Sequence, residues 1–193
     1  MKRKPNVAVV GATGVVGSTF LKVLEERDFP FENIYMMASA KSAGKKVMFK
    51  GKEYTVEELT EHSFDKPIDI ALFSAGGSTS EKFAPIAAAH GAVVVDNSSQ
   101  WRMDKNVPLV VPEVNPEDIK WNKGIIANPN CSTIQAMVAL KPLQDLSLIH
   151  ISSLPLTDFR PSAISSAVSS LTAPYFSRVS SFTPSSCTFA SLL

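Results

Sequence analysis

The segment 128–133, Asn-Pro-Asn-Cys-Ser-Thr, contains the side chain with the clearest chemistry in this chain, Cys131. Cys131 follows a short apolar run, 124–127, and begins a helical pattern with apolar residues at Ile134, Met137, Val138 and Leu140. Unpaired backbone N–H groups and the helix dipole at such a position favour the thiolate over the thiol. Because the thiolate is the nucleophile, a covalent thioester could form at Cys131. The alternative is a structural cysteine, since free cysteines are among the most buried residues.

A glycine-rich turn near the N-terminus predicts a dinucleotide site. The apolar run 6–10 predicts a strand buried on both faces of a parallel sheet, and the turn 11–17 follows it directly. Between a strand and a helix, such glycines allow a tight turn, close approach to a pyrophosphate and close helix packing. The alternative is a tight turn without a ligand. The candidate cofactor contacts here are Gly11, Thr13, Gly14, Val15, Val16 and Gly17.

The loop after the second predicted strand favours NADP over NAD. NAD sites usually place an acid about 20 residues after the glycines, where it binds the ribose 2′-hydroxyl. Here the strand ends Met-Met-Ala-Ser at 36–39, without an acid. Hydroxyls and cations that suit a 2′-phosphate follow instead: Ser39, Lys41, Ser42, Lys45 and Lys46. An ordinary solvated basic loop is the alternative.

The order of elements predicts an α/β fold with a doubly wound, mostly parallel sheet of the Rossmann type. Predicted strands cover 6–10, 34–38, 68–73, 92–95, 109–111 and 125–127, with short strands or a hairpin at 47–49 and 53–56. Predicted helices run from the glycine turn to about Arg27, over 80–90, and onward from Cys131. Ligands of such sheets lie beyond the carboxyl ends of the strands. The polar and glycine-rich segments fall there: 11–17, 39–46, 74–80, 96–102 and 128–133.

Composition excludes several classes of protein. The chain has 193 residues, of which 45% are hydrophobic and 19% charged, and its net charge is +1. We therefore expect neither nucleic acid nor a membrane as a partner, and the apolar run 7–10 is too short for a signal peptide or a membrane span. The two cysteines, Cys131 and Cys187, suggest a cytoplasmic thiol rather than a disulfide framework. The three histidines lie far apart in sequence, so we predict no metal site.

The sequence changes character near residue 146. Residues 147–193 contain fourteen serines and no Lys, Glu or Gly, and neither helical nor strand periodicity persists through them. Disordered tails are usually poor in large apolar residues, but this segment carries them throughout. We interpret it as out-of-frame or artefactual translation, with a poorly packed natural terminus as the alternative. Function is therefore argued from residues 1–146.

The glycine turn also occurs in short-chain reductases and sugar epimerases, but the chemistry of those enzymes is missing. They require a Tyr-x-x-x-Lys pair. The residues four positions after Tyr35, Tyr54 and Tyr175 are Ser, Glu and Val.

Six segments, in order, resemble the N-terminal part of aspartate-semialdehyde dehydrogenase. They are VAVVGATGVVG (7–17), ASAKSAGK (38–45), IALFSAGGSTS (70–80), VVVDNSSQWR (93–102), VPLVVPEVN (107–115) and GIIANPNCSTIQAMVAL (124–140). A sister family, N-acetyl-glutamyl-phosphate reductase, typically has Gly before and Tyr after its cysteine. Asn130 and Ser132 therefore favour the semialdehyde enzyme.

The resemblance implies a reaction and a set of roles. A cysteine thiolate attacks L-aspartyl 4-phosphate, phosphate leaves, and hydride from NADPH reduces the thioester to aspartate 4-semialdehyde, a step in lysine, threonine and methionine biosynthesis. Cys131 resembles the nucleophile, Arg102 the arginine that grips the substrate phosphate, and Asn130 a residue that positions the acyl group. Asn97 would lie near the same phosphate. The resemblance also implies NADP contacts at Ser39, Lys41, Ser42, Ser74, Ala75, Gly76 and Gly77.

The chain departs from the family after Asp145. The family's second domain supplies a glutamine, an arginine for the substrate carboxylate, an acid/base histidine and most of the dimer interface. None of those motifs occurs in residues 146–193, and His150 has no matching context. We therefore expect the second domain to be essentially missing and this chain by itself to be inactive and prone to aggregate, although the full-length family forms homodimers or homotetramers. A non-catalytic NADP-binding remnant remains an alternative, but Cys131 and Arg102 argue against it because neither is needed to hold NADP.

Overall fold

The computed structural model describes residues 3–145. Within this range, strands and helices alternate along the chain. The strands are β1 (Val7–Val10), β2 (Ile34–Ala38), β3 (Lys46–Phe49), β4 (Lys52–Thr55), β5 (Glu57–Glu58), β6 (Ile70–Phe73), β7 (Val93–Asp96) and β8 (Ile125–Ala127). The α-helices are α1 (Val15–Glu26), α2 (Gly77–Ala89) and α3 (Cys131–Asp145), and short 3-10 helices cover Ala40–Ser42, Glu61–Phe64 and Pro116–Trp121.

Six strands form one sheet in the order β5-β2-β1-β6-β7-β8, and every neighbouring pair is parallel. β3 and β4 form a separate antiparallel hairpin. From β1 the chain moves outward to β2, and it later returns to β6 on the other side of β1. The strand order therefore reverses between β1 and β6, the place where doubly wound sheets bind ligands. The predicted fold class is confirmed.

The core lies on both faces of the sheet because α1 and α2 cover opposite faces. All four residues of β1 are fully buried, and they alternate between two apolar clusters. Val9 belongs to the same cluster as Leu24 of α1, whereas Val10 belongs to the same cluster as Ala84 of α2. Burial on both faces explains why β1 reads as a continuous apolar run rather than an alternating one.

One predicted strand is wrong. The segment 109–111 makes a single parallel bridge, from Leu109 to Ala127, and does not continue as a ladder. The Asn115 side chain explains the interruption, because its Oδ1 accepts from the Val111 N–H at 2.8 Å and its Nδ2 donates to the Leu109 carbonyl at 3.0 Å. These bonds occupy backbone groups that a longer strand would have used.

Other boundaries differ by smaller amounts. α2 begins at Gly77, before the predicted start at Ser80, because its first turn consists of small residues without apolar periodicity. β5 was not predicted, since it is short and consists of two glutamates. The strand 34–38 and the hairpin around Gly51 are confirmed. No helix among the described residues is long and apolar enough to cross a membrane. The predicted tail, 147–193, lies outside the described residues.

Candidate active site

Five loops meet at the carboxyl edge of the parallel sheet, as the sequence predicts. Three of them follow β1, β2 and β6, which are neighbours in the sheet, and we call these loops, 11–17, 39–42 and 74–77, the cofactor region. The other two follow β7 and β8, also neighbours, and we call these loops, 97–102 and 128–131, the thiol region. The strand order therefore separates the predicted nucleotide contacts from the predicted covalent chemistry.

A cavity of about 460 Å³ lies in the cofactor region at the switch point of the sheet. This volume falls within the usual range for small-molecule and cofactor sites. The cavity is lined by Gly11, Thr13, Gly14, Ala38, Ser39, Ala40, Leu59, Ser74, Ala75, Thr79 and Phe83. Six predicted cofactor residues from three different loops therefore share one cavity: Gly11, Thr13, Gly14, Ser39, Ser74 and Ala75.

The other predicted cofactor residues do not line this cavity. Val15 is 81% exposed, whereas Val16 packs against the core cluster on the α1 side. Lys41 and Ser42 lie in the 3-10 helix that follows Ser39. Two more predicted contacts, Gly76 and Gly77, form the N-cap and first residue of α2.

Two of the three turn glycines are required by close packing within the protein. A Cβ on Gly11 would lie 2.4 Å from the Ser74 carbonyl oxygen, and Gly11 also has a φ of +88°. A Cβ on Gly17 would lie 2.1 Å from the Gly11 carbonyl oxygen. A Cβ on Gly14 would meet only the Gly11 carbonyl oxygen, at 3.3 Å. Gly11 and Gly17 thus shape the turn, while Gly14 lines the cavity and caps the N-terminus of α1.

Sequence reasoning missed five residues that line the cavity: Ala38 and Ala40, on either side of the predicted Ser39, and three others from different segments. Leu59 comes from the segment beyond β5, where its N–H donates to the Ala38 carbonyl at 2.8 Å and so holds it beside the end of β2. Thr79 and Phe83 come from the first two turns of α2. Thr79 could have been predicted if α2 had been expected to begin at Gly77 rather than Ser80. No signal in the local sequence indicates that Leu59 lines a cavity.

Cys131 is exposed and is the first residue of α3, so the structure does not support the alternative of a buried structural cysteine. Asn130 precedes it, and the Asn130 Oδ1 accepts a hydrogen bond from the Ser132 N–H at 2.9 Å. This is the bond of a helix N-cap. The Cys131 Sγ lies 3.9 Å from the same oxygen. The cap fixes the start of α3 and leaves the Asn130 Nδ2 without an acceptor among the described residues.

Arg102 is half-buried and held by a closed ring of three hydrogen bonds. Its Nε donates to the Asn128 carbonyl at 2.9 Å, and its Nη2 donates to the Asn97 carbonyl at 3.1 Å. The Asn128 Nδ2 closes the ring by donating to the Asn97 Oδ1 at 2.7 Å. Nη1 makes no hydrogen bond to any described residue. The ring therefore orients the guanidinium and keeps part of its donor fork available for an anion.

The polar groups behind Arg102 are deeply buried. Asp96 and Asn128 are both fully buried, and the Asp96 Oδ2 accepts from the Ser98 hydroxyl at 2.5 Å. Within the described residues, the Asp96 Oδ1 and the Asn128 Oδ1 have no hydrogen-bond partner. Burial lowers the pKa of the Arg102 guanidinium from its ordinary value, and the Asp96 and Cys131 charges oppose this shift. The negative charges of Asp96 and Cys131 are therefore the two that favour the charged form of the Arg102 guanidinium.

A family model described as the NAD-binding domain of semialdehyde dehydrogenase matches residues 6–122. The chain belongs to this semialdehyde dehydrogenase family. The matched range includes the cofactor region and Arg102 but ends before Cys131.

Curated relatives and solved structures agree with the semialdehyde dehydrogenase assignment. The aspartate-semialdehyde dehydrogenase of Aquifex aeolicus is 67% identical over 141 residues, which are 72% of this chain and 42% of the relative. The Campylobacter jejuni enzyme is 64% identical over 148 residues, 75% of this chain and 43% of the relative. The chain thus spans less than half the length of these two relatives.

Two crystal structures of aspartate semialdehyde dehydrogenases resemble the described fold. The Vibrio cholerae enzyme II complexed with ASA has a TM-score of 0.71 and 54% identity, covering 74% of this chain and 47% of that chain. The Candida albicans enzyme with NADP has a TM-score of 0.63 and 30% identity, covering 75% of this chain and 48% of that chain. Because the matching family model is described as an NAD-binding domain, a nicotinamide dinucleotide is the cofactor class of this domain.

Proposed function

We propose that this chain is the cofactor-binding and thiol-bearing part of an NADP-dependent enzyme that converts L-aspartyl 4-phosphate to L-aspartate 4-semialdehyde. One observation carries the proposal. Cys131 begins α3 with an exposed thiol, three residues after the Asn128 carbonyl that accepts from Arg102, at the same sheet edge as the cofactor cavity. The names of the relatives support the substrate class.

The thiol region is suited to acyl transfer from an acyl phosphate. The Cys131 thiolate would attack the acyl carbon, and the carbon–oxygen bond to phosphate would break, so that phosphate leaves with the electron pair and a thioester remains. Bound NADPH supplies the hydride that reduces such a thioester. Collapse of the resulting thiohemiacetal would release the aldehyde and return the thiol.

Arg102 would hold the substrate phosphate. A guanidinium presents a planar donor fork that matches phosphate oxygens. The ring with Asn97 and Asn128 uses the Nε–H and one N–H of Nη2. We therefore assign Nη1 to the phosphate. Asn97 accepts two bonds of the ring, at its backbone carbonyl and its Oδ1. We assign its Nδ2, which has no acceptor among the described residues, to the same phosphate.

Asn130 would both cap α3 and orient the acyl group. The capping bond uses only its Oδ1. Its Nδ2 can therefore donate to the carbonyl oxygen of the acyl group next to Cys131. We assign Asn130 this positioning role on the strength of its place between the cap and the thiol.

The cofactor cavity fits NADP by the chemistry of its donors. Ser39 lines the cavity at the end of β2, and the exposed Lys41 follows it in the next turn. A hydroxyl and a cation at this position suit a 2′-phosphate. β5 places Glu58 beside Ala38, but Glu58 is not among the cavity-lining residues, so the expected ribose-binding acid of an NAD site is not supplied there. Gly76 and Gly77 would contribute through the N-terminus of α2.

We further propose that the functional domain covers residues 1–146 and that residues 147–193 are not part of it. The alignments with the relatives cover 72% and 75% of this chain, about the share that residues 1–146 make up, which supports this boundary. We expect a cytoplasmic protein, and an assembly of two or four copies only for the full-length form. The 193-residue chain by itself should not turn over, because the family's glutamine, arginine and histidine motifs do not occur in its sequence.

The test is to purify the chain and measure cofactor binding and thiol reactivity separately. Isothermal titration calorimetry should give a lower dissociation constant for NADP⁺ than for NAD⁺. Alkylation by neutral iodoacetamide, followed on the peptide that contains Cys131, should be faster than for the same peptide in urea and should slow when inorganic phosphate is added. Slow alkylation with normal NADP⁺ binding would contradict the catalytic assignment and favour a binding remnant.

Substrate identity requires a version of the chain extended by the family's second domain. We expect that version to reduce aspartyl phosphate and not N-acetyl-glutamyl phosphate. The opposite preference would identify the sister reductase instead.

A further inference from the structure

The loop that carries Arg102 is joined to helix α2 by a hydrogen bond between side chains. The indole Nε1 of Trp101 donates to the Ser80 Oγ at 2.9 Å. Ser80 is only 1% exposed and Trp101 is half-buried, so the bond is largely shielded from water. A buried indole N–H usually finds an acceptor, and here the acceptor comes from a different element of the fold.

The first two turns of α2 lie between the two regions. Thr79 and Phe83 line the cofactor cavity. Ser80 accepts the bond from Trp101, while a Cβ on Gly77 would lie 3.6 Å from the Gln100 Oε1. One part of the helix therefore contacts the cofactor cavity, and another contacts the loop that precedes Arg102.

Trp101 also packs on the apolar cluster that supports the cavity. The half-buried side chains of Trp101, Phe83 and Leu59 all pack against the cluster on the α2 face of the sheet. Phe83 and Leu59 line the cavity as well. Because Trp101 directly precedes Arg102 in the chain, an anchor at Trp101 limits how far Arg102 can move relative to that cavity.

We propose that Trp101 is a positioning residue whose hydrogen bond to Ser80 holds Arg102, and the phosphate bound to it, at a fixed place relative to the cofactor cavity. This inference rests on the proposed function, since it assigns a phosphate to Arg102. The ring through Asn97 and Asn128 sets the orientation of the guanidinium within the thiol region. The Trp101–Ser80 bond connects the thiol region to α2, and side chains of α2 also line the cofactor cavity.

The experiment uses the full chain and inorganic phosphate as the probe. The rate of Cys131 alkylation by iodoacetamide is measured against phosphate concentration, which gives the concentration that protects half of the thiol. NADP⁺ affinity and the thermal midpoint are measured on the same samples. The variants are Trp101→Phe, which keeps an aromatic ring and removes the donor, Ser80→Ala, which removes the acceptor, and the double variant.

We expect the half-protecting phosphate concentration to rise about two- to tenfold in each single variant, the range for loss of one neutral hydrogen bond. The half-protecting phosphate concentration of the double variant should be no higher than that of the more affected single variant, because both changes remove the same bond. The dissociation constant for NADP⁺ should rise by a smaller factor than the half-protecting phosphate concentration. The matched control is Trp121→Phe, which loses a longer, exposed bond to Asp118 in the 3-10 helix 116–121 and should leave phosphate protection unchanged.

Four results would overturn the proposal. Unchanged phosphate protection in both single variants would show that the bond does not position Arg102. Additive effects in the double variant would show that the two residues act separately. Equal losses of phosphate affinity, NADP⁺ affinity and thermal stability would show a general structural role. If phosphate does not protect Cys131 in the unmodified chain, the phosphate assignment of the proposed function is itself wrong, and the inference is wrong with it.

Discussion

The cofactor region and the thiol region are built by different means. In the cofactor region, backbone packing sets the geometry. There is no space for a Cβ at Gly11 or Gly17, and Gly11 packs directly against the Ser74 carbonyl. In the thiol region, side-chain hydrogen bonds set the geometry, through the ring of Arg102, Asn97 and Asn128.

This difference predicts how each region fails. A backbone turn that has no spare volume fails by steric overlap, and the damage spreads to the adjoining strand and helix. A hydrogen-bonded ring fails by losing orientation of one side chain, while the strands around it stay in place. Substitutions of the tightly packed Gly11 and Gly17 should therefore act first on folding, and substitutions in the ring around Arg102 first on phosphate binding.

The largest effect is expected for Gly17→Ala. The new Cβ would lie 2.1 Å from the Gly11 carbonyl oxygen, a distance that only a shift of the turn or of α1 could relieve. We expect the free energy of unfolding to fall by about 3 kcal/mol or more, at the upper end for overpacking. Urea titration followed by circular dichroism measures it.

The control for this substitution is Gly14→Ala, whose Cβ would meet only the Gly11 carbonyl oxygen at 3.3 Å. It should leave most of the stability intact and weaken NADP⁺ binding, because Gly14 lines the cavity. Equal destabilisation by the two substitutions would contradict the division of roles among the glycines.

Arg102→Lys should cost phosphate binding without unfolding the chain. A lysine ammonium cannot donate to the Asn97 and Asn128 carbonyls and a phosphate with the same planar fork. We expect the half-protecting phosphate concentration to rise about tenfold or more, as for loss of a charge-assisted pair. Alkylation of Cys131 against phosphate measures it, and NADP⁺ affinity should stay within twofold. Preserved phosphate protection would show that Arg102 is a structural arginine.

Asn130→Ala should destabilise the first turn of α3. Loss of the bond from the Ser132 N–H to the Asn130 Oδ1 should reduce the free energy of unfolding by about 1 kcal/mol, the usual value for an N-cap. Thermal denaturation measures it. Ser132→Ala is the matched control, because it keeps the backbone donor.

Asn130→Asp separates capping from chemistry at the same position. A carboxylate still caps the helix, so stability should be retained. The new negative charge next to Cys131 disfavours the thiolate and should slow alkylation. Fast alkylation in Asn130→Asp would mean that the environment of the thiol does not control its reactivity.

The smallest effect is expected for Glu61→Gln, which removes an exposed ion pair with Lys82 of α2. A hydrogen bond and the positive charge from Lys82, 2.9 Å away, lower the pKa of the Glu61 carboxyl from its ordinary value of 4.5. A lowered pKa in the folded state means that the pair stabilises the fold above that ordinary value and stops doing so as the pH falls through the lowered one.

The comparison is of thermal midpoints for Glu61→Gln and the unmodified chain at pH 7 and at pH 3. We expect a slight difference at pH 7 that narrows at pH 3, and no change in either phosphate protection or NADP⁺ affinity. The substitution keeps the contact of the Lys82 ammonium with the Phe83 ring, 5.0 Å from its centroid. A loss of NADP⁺ affinity would show that the ion pair supports the cavity.

Much of the fold could be predicted because its signals are local. The fully buried β1 reads as a continuous apolar run, and the strand 34–38 was predicted with its observed boundaries. The predicted strand at 109–111 failed because its competitor is four to six residues away, in the side chain of Asn115. Side-chain bonds to the backbone leave no periodic trace in the sequence, so strand patterns cannot reveal them.

The candidate site divides in the same way. Cys131 and the glycine turn could be recognised because each follows a strand and begins a helix, a local context with a physical meaning. Asn128 was not recognised, although it is fully buried and both its carbonyl and its side chain belong to the ring around Arg102. Nothing in its neighbourhood in the sequence indicates that its partners lie at 97 and 102.

The sequence by itself determined the alternation of strands and helices, the glycine turn, the position of the thiol at a helix N-terminus and the edge of the sheet where these features meet. These follow from short-range periodicity and from the rule that parallel strands share their carboxyl edge. The tertiary structure alone decided which residues line one cavity, why Gly17 has no space for a side chain, and how Arg102 is held. These depend on contacts between segments far apart in the chain, whose distances are fixed only when the sheet and its two helix layers pack together.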